Sequence, residues 1–415
     1  MMTQPKTIAV IGAGIVGLST ALWLQKLGFK VTLVDRNEPG LGTSFGNAGL
    51  FADYGRLPIA SFSQLRKIPG MLLDKRGPLS MQLQYARHLM PYGWHFVKAC
   101  TTEKYLHGRH ALTSLQLTAP AADDALLHET GASKLVQHNG CLALFSTKEG
   151  FEAALEGHLH EREEQGVRMQ ALSADEVHEL EPHLSRFHAG GVIYPDTRFT
   201  ISPVELSRTY ARHFVAQGGK LLQDEVATVS DANGECVVTG TQGTHRFDRT
   251  VICAGVAGAR LAQQLGVRIP LVSERGYHLV LEAEDWHLTR PVGWLDYAVF
   301  MTPMEDGIRI AGMAEFADPD APQGEKQTEI MRDTAAKMMG KTPAVKSSWV
   351  GSRPSTPDSL PIIGRVPGHP NFTLAFGHGH LGLTLAATTG KLVAESIQGK
   401  DLDSMLAPFA PARFH

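Results

Sequence analysis

The stretch TIAVIGAGIVGLSTALWLQKLGFKVTLVDR, residues 7–36, predicts a strand, a glycine turn, a helix and a second strand, in that order. Its first run is apolar and β-branched, and its middle part carries apolar residues at helical spacing. Gly12, Gly14 and Gly17 form the pattern G-x-G-x-x-G between the two. The first glycine permits a tight turn, the second lets a pyrophosphate approach the backbone, and the third lets helix and strand pack closely. The stretch therefore predicts a dinucleotide-binding site.

The end of the second strand, Asp35 and Arg36, supports this interpretation. An acidic side chain at this place can accept hydrogen bonds from both ribose hydroxyls of an adenosine, and it disfavours the 2′-phosphate of NADP. Ile15 and Val16 open the helix, whose first N–H groups and positive dipole end favour a phosphate. The fingerprint alone leaves FAD and NAD open.

Three further segments favour FAD. The small-residue loop GTSFGNAGL (42–50) follows the second strand, where the ribityl chain and the ring of a flavin extend. The strand FDRTVICAG (247–255) ends in small residues, which let the backbone pass close to a cofactor. The loop GHGHLGLTLAATTG (377–390) leads into a helix whose N-terminus can face the flavin N1–C2=O edge, where the reduced ring gathers negative charge.

Composition sets the outer limits of function. The chain has 415 residues, 43% of them hydrophobic and 20% charged, with a net charge of −3, which is ordinary for a soluble globular protein and gives no reason to expect nucleic acid as a partner. No apolar run reaches the length of a membrane span, and the N-terminus does not have the pattern of a signal peptide. The four cysteines show no metal-ligand spacing, and His378 and His380 have no evident third ligand, so no metal site is expected. A cytoplasmic protein with reduced thiols is predicted.

The predicted architecture is α/β, because the cofactor signals lie near both ends and in the middle of the chain. We expect a discontinuous Rossmann-like FAD-binding domain formed by residues 1–56, 140–260 and 351–415. An α+β substrate domain with an antiparallel sheet, residues 57–139 and 261–350, is expected to be inserted into it.

One helix start is predicted in detail. In SPVE (202–205), Ser202 is placed to cap the helix, Pro203 occupies its first position, and Glu205 stands three residues after the cap. The pair Gly218–Gly219 is expected to end the same helix.

The chain resembles the D-amino acid dehydrogenase and oxidase family of flavoproteins, in particular the bacterial D-amino acid dehydrogenase small-subunit branch. Glycine oxidase and sarcosine oxidase are relatives in the same superfamily. The likeness covers nearly the whole chain, and its two most specific parts are GSRPSTPDSLPIIGR (351–365) and GHGHLGLTLAATTG (377–390). The other matching segments are TSFGNAG (43–49), GCLALF (140–145), YPDTR (194–198), GYHLV (276–280) and IAGMAEF (310–316).

The resemblance implies specific contacts with FAD. The ADP half would be held by Gly12, Gly14, Ile15, Val16, Gly17, Asp35 and Arg36, with the backbone of Val226 at the adenine. The riboflavin half would be lined by Ser44, Asn47, Ala48 and Gly49, with the backbone of Ala254 and Gly255 close by. The pyrimidine edge would be met by Gly377, His378, Gly379, Gly382 and Thr384. No cysteine matches the covalent attachment found in the sarcosine oxidase branch, so FAD is expected to bind without a covalent bond.

The resemblance also implies a catalytic set of Arg353, Tyr277 and His378. Arg353 would pair with the substrate carboxylate, since a guanidinium grips a carboxylate bidentately. The alternative is a structural arginine tied to Asp358. Tyr277 would close the carboxylate site, or else pack inside a strand. His378 would touch the flavin O2 region or the substrate.

The implied reaction is oxidative deamination of a free D-amino acid by hydride transfer from Cα to flavin N5, giving the 2-oxo acid and ammonia. A secondary or N-methyl amino acid such as proline, hydroxyproline or sarcosine is the alternative substrate, and a flavin-binding subunit without turnover is the alternative function. The segment after WLD (294–296) departs from the family pattern, which leaves substrate choice open.

The dehydrogenase branch implies a quinone or the respiratory chain as electron acceptor. The apolar and basic segment 57–98 would then contact the cytoplasmic face of the inner membrane peripherally. Alternatively, its helices simply pack on the core.

Overall fold

A computed structural model of the chain describes residues 7–74, 77–282 and 285–414. The helices in the described residues are α1 Ile15–Lys26, α2 Phe62–Leu73, α3 Ala86–Ala99, α4 Thr102–Thr130, α5 Lys148–Glu156, α6 His158–Glu164, α7 Ala174–Leu180, α8 Pro203–Ala216, α9 Gly258–Gln264, α10 Glu325–Met339, α11 Ala386–Gln398 and α12 Asp403–Leu406. The strands are β1 Thr7–Ile11, β2 Lys30–Asp35, β3 Leu50–Phe51, β4 Leu79–Met81, β5 Val136–Gln137, β6 Cys141–Phe145, β7 Gln170–Ser173, β8 Gly190–Tyr194, β9 Arg198–Thr200, β10 Lys220–Gln223, β11 Val226–Ala232, β12 Glu235–Gly240, β13 Gly243–Phe247, β14 Arg249–Ile252, β15 Val272–Leu281, β16 Val292–Trp294, β17 Val299–Met304, β18 Gly307–Phe316, β19 Val345–Ser355, β20 Ile362–Val366 and β21 His369–Phe376.

The first of two large sheets has six strands in the order β10-β2-β1-β14-β21-β20. Its strands are parallel except for the β20–β21 hairpin. Apolar residues of α1, α4, α8 and α11 form one buried core with residues of β1 and β2, so these helices cover the sheet. This confirms the predicted α/β class and the discontinuous Rossmann-like sheet. The turn between β1 and α1 lies at the carboxyl edge, where such sheets bind dinucleotides.

The second large sheet has nine strands, ordered β19-β15-β18-β17-β16-β6-β8-β7 with β4 beside β18. Most neighbours are antiparallel, and the pairs β6–β16 and β4–β18 are parallel. Side chains of α10, such as Met331 and Met338, pack in one core with residues of β15 and β18. This is the antiparallel sheet expected of a substrate domain.

Some segments pack in the structure with a different sheet from the one expected from the sequence. Strands β6, β7 and β8 were assigned to the cofactor domain with 140–260, but they pair in the nine-stranded sheet. Helix α4 was assigned to the substrate domain with 57–139, but its apolar face packs with that of α1 and α11. An apolar strand or helix face fits either layer, so its residues alone do not select the partner.

Two three-stranded sheets, β11-β12-β13 and β3-β9-β5, complete the strands. None of the described helices is long and apolar enough to span a bilayer.

Candidate active site

The glycine turn after β1 has the backbone that the fingerprint requires. Gly12 has a φ of +108°, and a Cβ added there would lie 2.5 Å from the carbonyl oxygen of Cys253. A Cβ at Gly17 would overlap the carbonyl oxygen of Gly12, so only glycine lets α1 start this close to β1. Around Gly14, by contrast, only the Ser44 hydroxyl oxygen comes near an added Cβ, at 3.2 Å. Gly14 caps α1 without a side chain and therefore leaves its N-terminus open to a phosphate.

Asp35 is fixed by the backbone on both sides. One carboxylate oxygen accepts a hydrogen bond from the Ala13 N–H at 2.7 Å, and the other accepts one from the Asn37 N–H at 2.9 Å. Each oxygen keeps a second lone pair for a ribose hydroxyl. Arg36 lies on the exposed side, 3.4 Å from Glu225, which directly precedes the β11 residue Val226.

The loop after β2 connects the two large sheets. The Ser44 hydroxyl accepts a hydrogen bond from the Ile15 N–H at 3.0 Å, which places it at the start of α1. Asn47 folds back on the loop, donating to the Ser44 carbonyl and accepting from the Gly49 N–H. From β18, Arg309 donates to the carbonyls of Phe45 and Asn47. The loop therefore has a fixed course between the nucleotide turn and the nine-stranded sheet.

The Ala48 carbonyl in the same loop accepts a hydrogen bond from Thr302 of β17 at 2.8 Å. At the far end of the site, the Thr384 hydroxyl accepts one from the Ala52 N–H at 2.9 Å. Val16, in the first turn of α1, is partly buried against the main core, and its carbonyl accepts a hydrogen bond from the Thr20 hydroxyl. The first two contacts tie the chain around residues 48–52 to β17 and to Thr384.

Several of the predicted cofactor glycines have open space where a Cβ would lie. A Cβ added at Gly255, which follows Ala254 at the end of β14, would meet nothing within 4 Å. At Gly379 the nearest atom would be 3.7 Å away, and at Gly382 it would be 4.0 Å away. Gly377 is different, since a Cβ there would lie 3.0 Å from Thr356. A helix start whose cap residue has no side chain, an oriented Asp35 and the open glycines fit FAD; Gly14 would hold its pyrophosphate and the loop 377–384 would meet its flavin.

Arg353 lies flat across β15, over Gly276. Its Nη1 donates to Glu274 at 3.1 Å and to the Met313 carbonyl at 2.8 Å, and its Nη2 donates to the Gly312 carbonyl at 3.3 Å. A Cβ at Gly276 would overlap the guanidinium. Among the described residues, Nε and the second hydrogen of Nη2 have no acceptor. Nε and Nη2 form the side-on edge of a guanidinium, the edge that can bind a carboxylate bidentately.

The alternative role of Arg353, a structural tie to Asp358, does not hold. Asp358 pairs with Arg413, at 2.7 Å, while Arg353 pairs with Glu274 of the neighbouring strand.

The structure does not bring Tyr277 or His378 to Arg353. Tyr277 points to the other face of β15, where its hydroxyl donates to Glu315 at 2.6 Å. Burial and Glu315 raise the pKa of Tyr277 well above its usual value. The His378 ring is buried, with Nε2 2.9 Å from the Thr389 hydroxyl of α11, and burial lowers its pKa to about 4. Tyr277 therefore takes its alternative role of packing within the sheet, and His378 is a neutral core histidine.

Four residues were not identified from the sequence as members of the site: Glu274 and His380, which lie beside Arg353, and His278 and Arg309, which contact the loop 42–50. The His278 ring lies between Phe45 and Trp349, with centroid distances of 5.8 and 5.3 Å, and its Nδ1 donates to the Gly46 carbonyl. Burial, with help from Arg309, lowers the pKa of His278 to about 3. A signal was present, because SERGYH (273–278) places charged residues inside a fully buried strand.

The described residues contain no group of three His, Cys, Asp or Glu side chains that could hold a metal ion. Cys253 is the cysteine beside the Gly12 turn, and burial raises the pKa of its thiol to about 12. A thiol held in this protonated form is a poor nucleophile.

Comparison with known proteins places the chain among flavoenzymes. Residues 7–396 match the family described as DAO, FAD dependent oxidoreductase. The chain is 32% identical to a protein named D-amino-acid oxidase from Bradyrhizobium diazoefficiens over 422 residues, which covers all of both chains. It is 30% identical to a protein named D-amino acid dehydrogenase from Chromohalobacter salexigens over 407 residues, 95% of this chain and 96% of that one.

Among solved structures, the glycine oxidase from Geobacillus kaustophilus superposes with a TM-score of 0.78. The two sequences are 22% identical, and the superposition covers 99% of each chain. This likeness concerns the fold. It extends the match over both large sheets.

Proposed function

Since the chain belongs to the family of FAD-dependent oxidoreductases, we propose that it oxidises the Cα–N bond of a free amino acid, with a D-amino acid as the preferred substrate. The products are the 2-oxo acid and ammonia. The observation that carries the proposal is the open side-on fork of Arg353, because a bidentate carboxylate grip is what an amino acid requires. Both named relatives, at 30% identity or more, agree on the D-amino acid.

Arg353 binds and orients the substrate carboxylate in this proposal. Glu274 and the carbonyls of Gly312 and Met313 hold the guanidinium plane in place, so little side-chain entropy is lost when the carboxylate binds. When bound, FAD supplies the acceptor for the hydride that leaves Cα. The packed rings of Phe45, His278 and Trp349 exclude water between the loop 42–50 and the sheet.

The test is spectroscopic. Purified protein should be yellow and should release FAD on denaturation by acid or heat. Under anaerobic conditions a D-amino acid should bleach the flavin band, and an α-hydroxy acid of the same side chain should not. A panel of D-, L- and N-methyl amino acids decides between primary and secondary amines. Colourless protein that takes up no FAD would contradict the proposed cofactor. A bound flavin that no amino acid bleaches would contradict the proposed reaction and favour a flavin-binding subunit without turnover.

We further propose that a quinone at an anionic membrane surface accepts the electrons. The proposal is supported by residues 57–98, called here the basic apolar surface, which contain six Lys or Arg residues and one acidic residue in a chain of net charge −3. Helix α2 has no buried residue at all, and Leu73 is 83% exposed. Trp94 on α3 is 63% exposed, with Lys98 over its ring. Reduced protein should reoxidise slowly in air and rapidly with a soluble quinone, and stoichiometric hydrogen peroxide at the quinone rate would instead identify an oxidase.

A further inference from the structure

The carboxylate of Glu274 lies at the centre of a cluster beside the loop 377–384. It is 7% exposed, accepts hydrogen bonds from Arg353 Nη1 at 3.1 Å and from the Ser355 hydroxyl at 2.8 Å, and lies 2.8 Å from His380 Nε2. Arg353 and His380 contact the same oxygen, Oε1. One buried carboxylate therefore contacts both Arg353 and His380.

His380 is the accessible member of this cluster. Its side chain is 43% exposed, and it stands in the loop after β21 between Gly379, with φ +51°, and Gly382. An ionised carboxylate 2.8 Å from Nε2 has no proton to offer, so in the neutral ring the hydrogen belongs on Nε2 and Nδ1 carries the lone pair. Among the described residues Nδ1 has no partner. The cluster thus presents an unoccupied proton acceptor to the site.

His380 and Arg353 stand side by side at Glu274. Arg353 Nη1 and His380 Nε2 both lie close to Oε1 of Glu274, so these two nitrogens are within about 6 Å of each other. A substrate carboxylate on the Arg353 fork carries its amine one carbon away. The His380 ring therefore stands beside the arginine that would hold a substrate carboxylate.

Oxidation of an amino acid requires a neutral amine, because an ammonium nitrogen has no lone pair with which to expel a hydride from Cα. Near pH 7 an α-amine is mostly protonated. We propose that His380 removes this proton, with Glu274 as the positioning residue that orients the imidazole; this rests on the function proposed above. One N–H bond of the ammonium breaks, its electron pair stays on nitrogen, and the proton moves to Nδ1. The exposed imidazolium then releases the proton to solvent.

The surrounding charges are compatible with this step. Burial would raise the pKa of Glu274, but His380 and Arg353 outweigh it and hold that pKa well below its usual range. Glu274 therefore stays ionised. From α3, Tyr92 faces the same carboxylate, and burial together with Glu274 raises the pKa of its hydroxyl, which stays neutral. His378 is turned to Thr389 and, with its pKa lowered to about 4 by burial, does not compete as a base at neutral pH in the buried core.

A purely structural role is the competing explanation, since the three side chains would hold β15, β19 and the 377–384 loop together. The two explanations differ in their dependence on pH. A base is needed only while the substrate is an ammonium ion, whereas a structural anchor is needed at every pH.

The experiment uses the FAD-loaded enzyme and the His380→Gln variant, mixed anaerobically with a D-amino acid that reduces the wild type. The rate of flavin bleaching is followed from about pH 6 to about pH 10. At pH 7 the variant is expected to be slower by about 10²-fold, the contribution typical of a general base. The difference should shrink as the pH rises, since the substrate amine loses its proton in solution. Added imidazole should restore part of the rate at pH 7.

Two further readouts separate chemistry from structure. Propionate has a carboxylate and no amine, so its Kd, measured by perturbation of the flavin spectrum, should be unchanged in His380→Gln. FAD content should also be unchanged. In Glu274→Gln, which keeps an oxygen to accept from Nε2–H but loses the charge, the pH 7 rate is expected to fall less than in Glu274→Ala.

His369→Gln is the matched control. His369 also stands beside a carboxylate, with Nδ1 3.5 Å from Asp231, but it lies on β21 away from Arg353, and its variant should behave as wild type. A His380→Gln variant with the wild-type rate and pH profile would overturn the proposal. The proposal would also be overturned by a loss of bleaching rate that is equal at every pH, or by weaker binding of propionate to His380→Gln. If no amino acid bleaches the wild-type flavin, the proposed function fails, and the role of His380 fails with it.

Discussion

Replacing Arg353 tests the carboxylate grip directly. Arg353→Ala removes both N–H groups of the open fork, and Arg353→Lys keeps the charge without the fork. We expect kcat/KM to fall by about 10²-fold or more for Ala, equivalent to about 3 kcal/mol, in line with the loss of a charge-assisted pair from a desolvated site. FAD content should stay normal. Normal turnover by Arg353→Ala would assign the carboxylate to another residue.

Gly276 offers a milder change at the same place. Gly276→Ala introduces a methyl group where the guanidinium of Arg353 lies, so the arginine must move while its charge remains. We expect KM to rise by about 10-fold or more with a smaller change in kcat, since the loss falls on binding. Gly70→Ala, where a Cβ meets nothing within 4 Å, is the control and should leave KM unchanged. An unchanged KM in Gly276→Ala would mean that the carboxylate does not reach Arg353.

Single residues could be predicted where the backbone alone dictates them. Gly12 and Gly17 are required by the turn, and Asp35 by its position at the end of β2, so the sequence was sufficient for all three. Tyr277 failed because neighbouring residues on a strand face opposite sides, and the sequence did not show which side of β15 faces the site. Its neighbour Gly276, which carries no chemistry, proved to be the residue beneath Arg353.

Elements were predictable where local capping decides them. The Ser202 hydroxyl accepts from the Glu205 N–H, Pro203 opens α8, and the helix ends at Ala216, two residues before Gly218. The predicted start and stop of α8 are therefore confirmed. The sheet membership of β6 was not predictable, because its partners β8 and β16 lie up to about 150 residues away and five buried apolar residues fit either sheet.

The loop between β21 and α11 gives a prediction for acid conditions. Burial lowers the pKa of His378 to about 4 and that of His278 to about 3, so both are neutral in the folded protein. In the unfolded chain each takes up a proton near pH 6.5, and the unfolded state then binds more protons than the folded state. Their contribution to stability is thus complete above about pH 6.5 and declines as the pH falls toward 4, by up to about 1.4 kcal/mol per histidine and pH unit.

Thermal unfolding from pH 7.5 down to pH 4.5 measures this decline. His378→Asn should lower the Tm at pH 7.5 and should show a weaker dependence on pH than the wild type. His107→Asn, an exposed position on α4, should follow the wild-type curve. An equal slope in His378→Asn and the wild type would contradict the assignment of a buried neutral ring.

The basic apolar surface belongs to the scale of the whole molecule. Leu73→Glu and Trp94→Glu should each lower co-sedimentation with vesicles containing anionic lipid by several-fold, since each replaces an exposed apolar side chain with a negative charge. Dye-coupled activity should remain intact. Leu117→Glu, at an exposed leucine of α4 outside the surface, serves as the control. Equal binding of all variants would mean that these residues do not make the membrane contact. Equal binding to neutral vesicles would mean that anionic lipid is not recognised.

The order of the six-stranded sheet has a consequence for how the protein is made. The Gly12 turn packs against the Cys253 carbonyl, and β14, which carries the chain to that residue, pairs with β21 on its other side. A nascent chain that contains only β1, the glycine turn and α1 therefore lacks β14, the strand that leads to the Cys253 carbonyl packed against the turn. The nascent chain must keep its apolar strands from aggregating until Phe376 has emerged, and FAD capture becomes a late event in biosynthesis. Premature termination before β21 costs the cell the cofactor site as well as the missing strand.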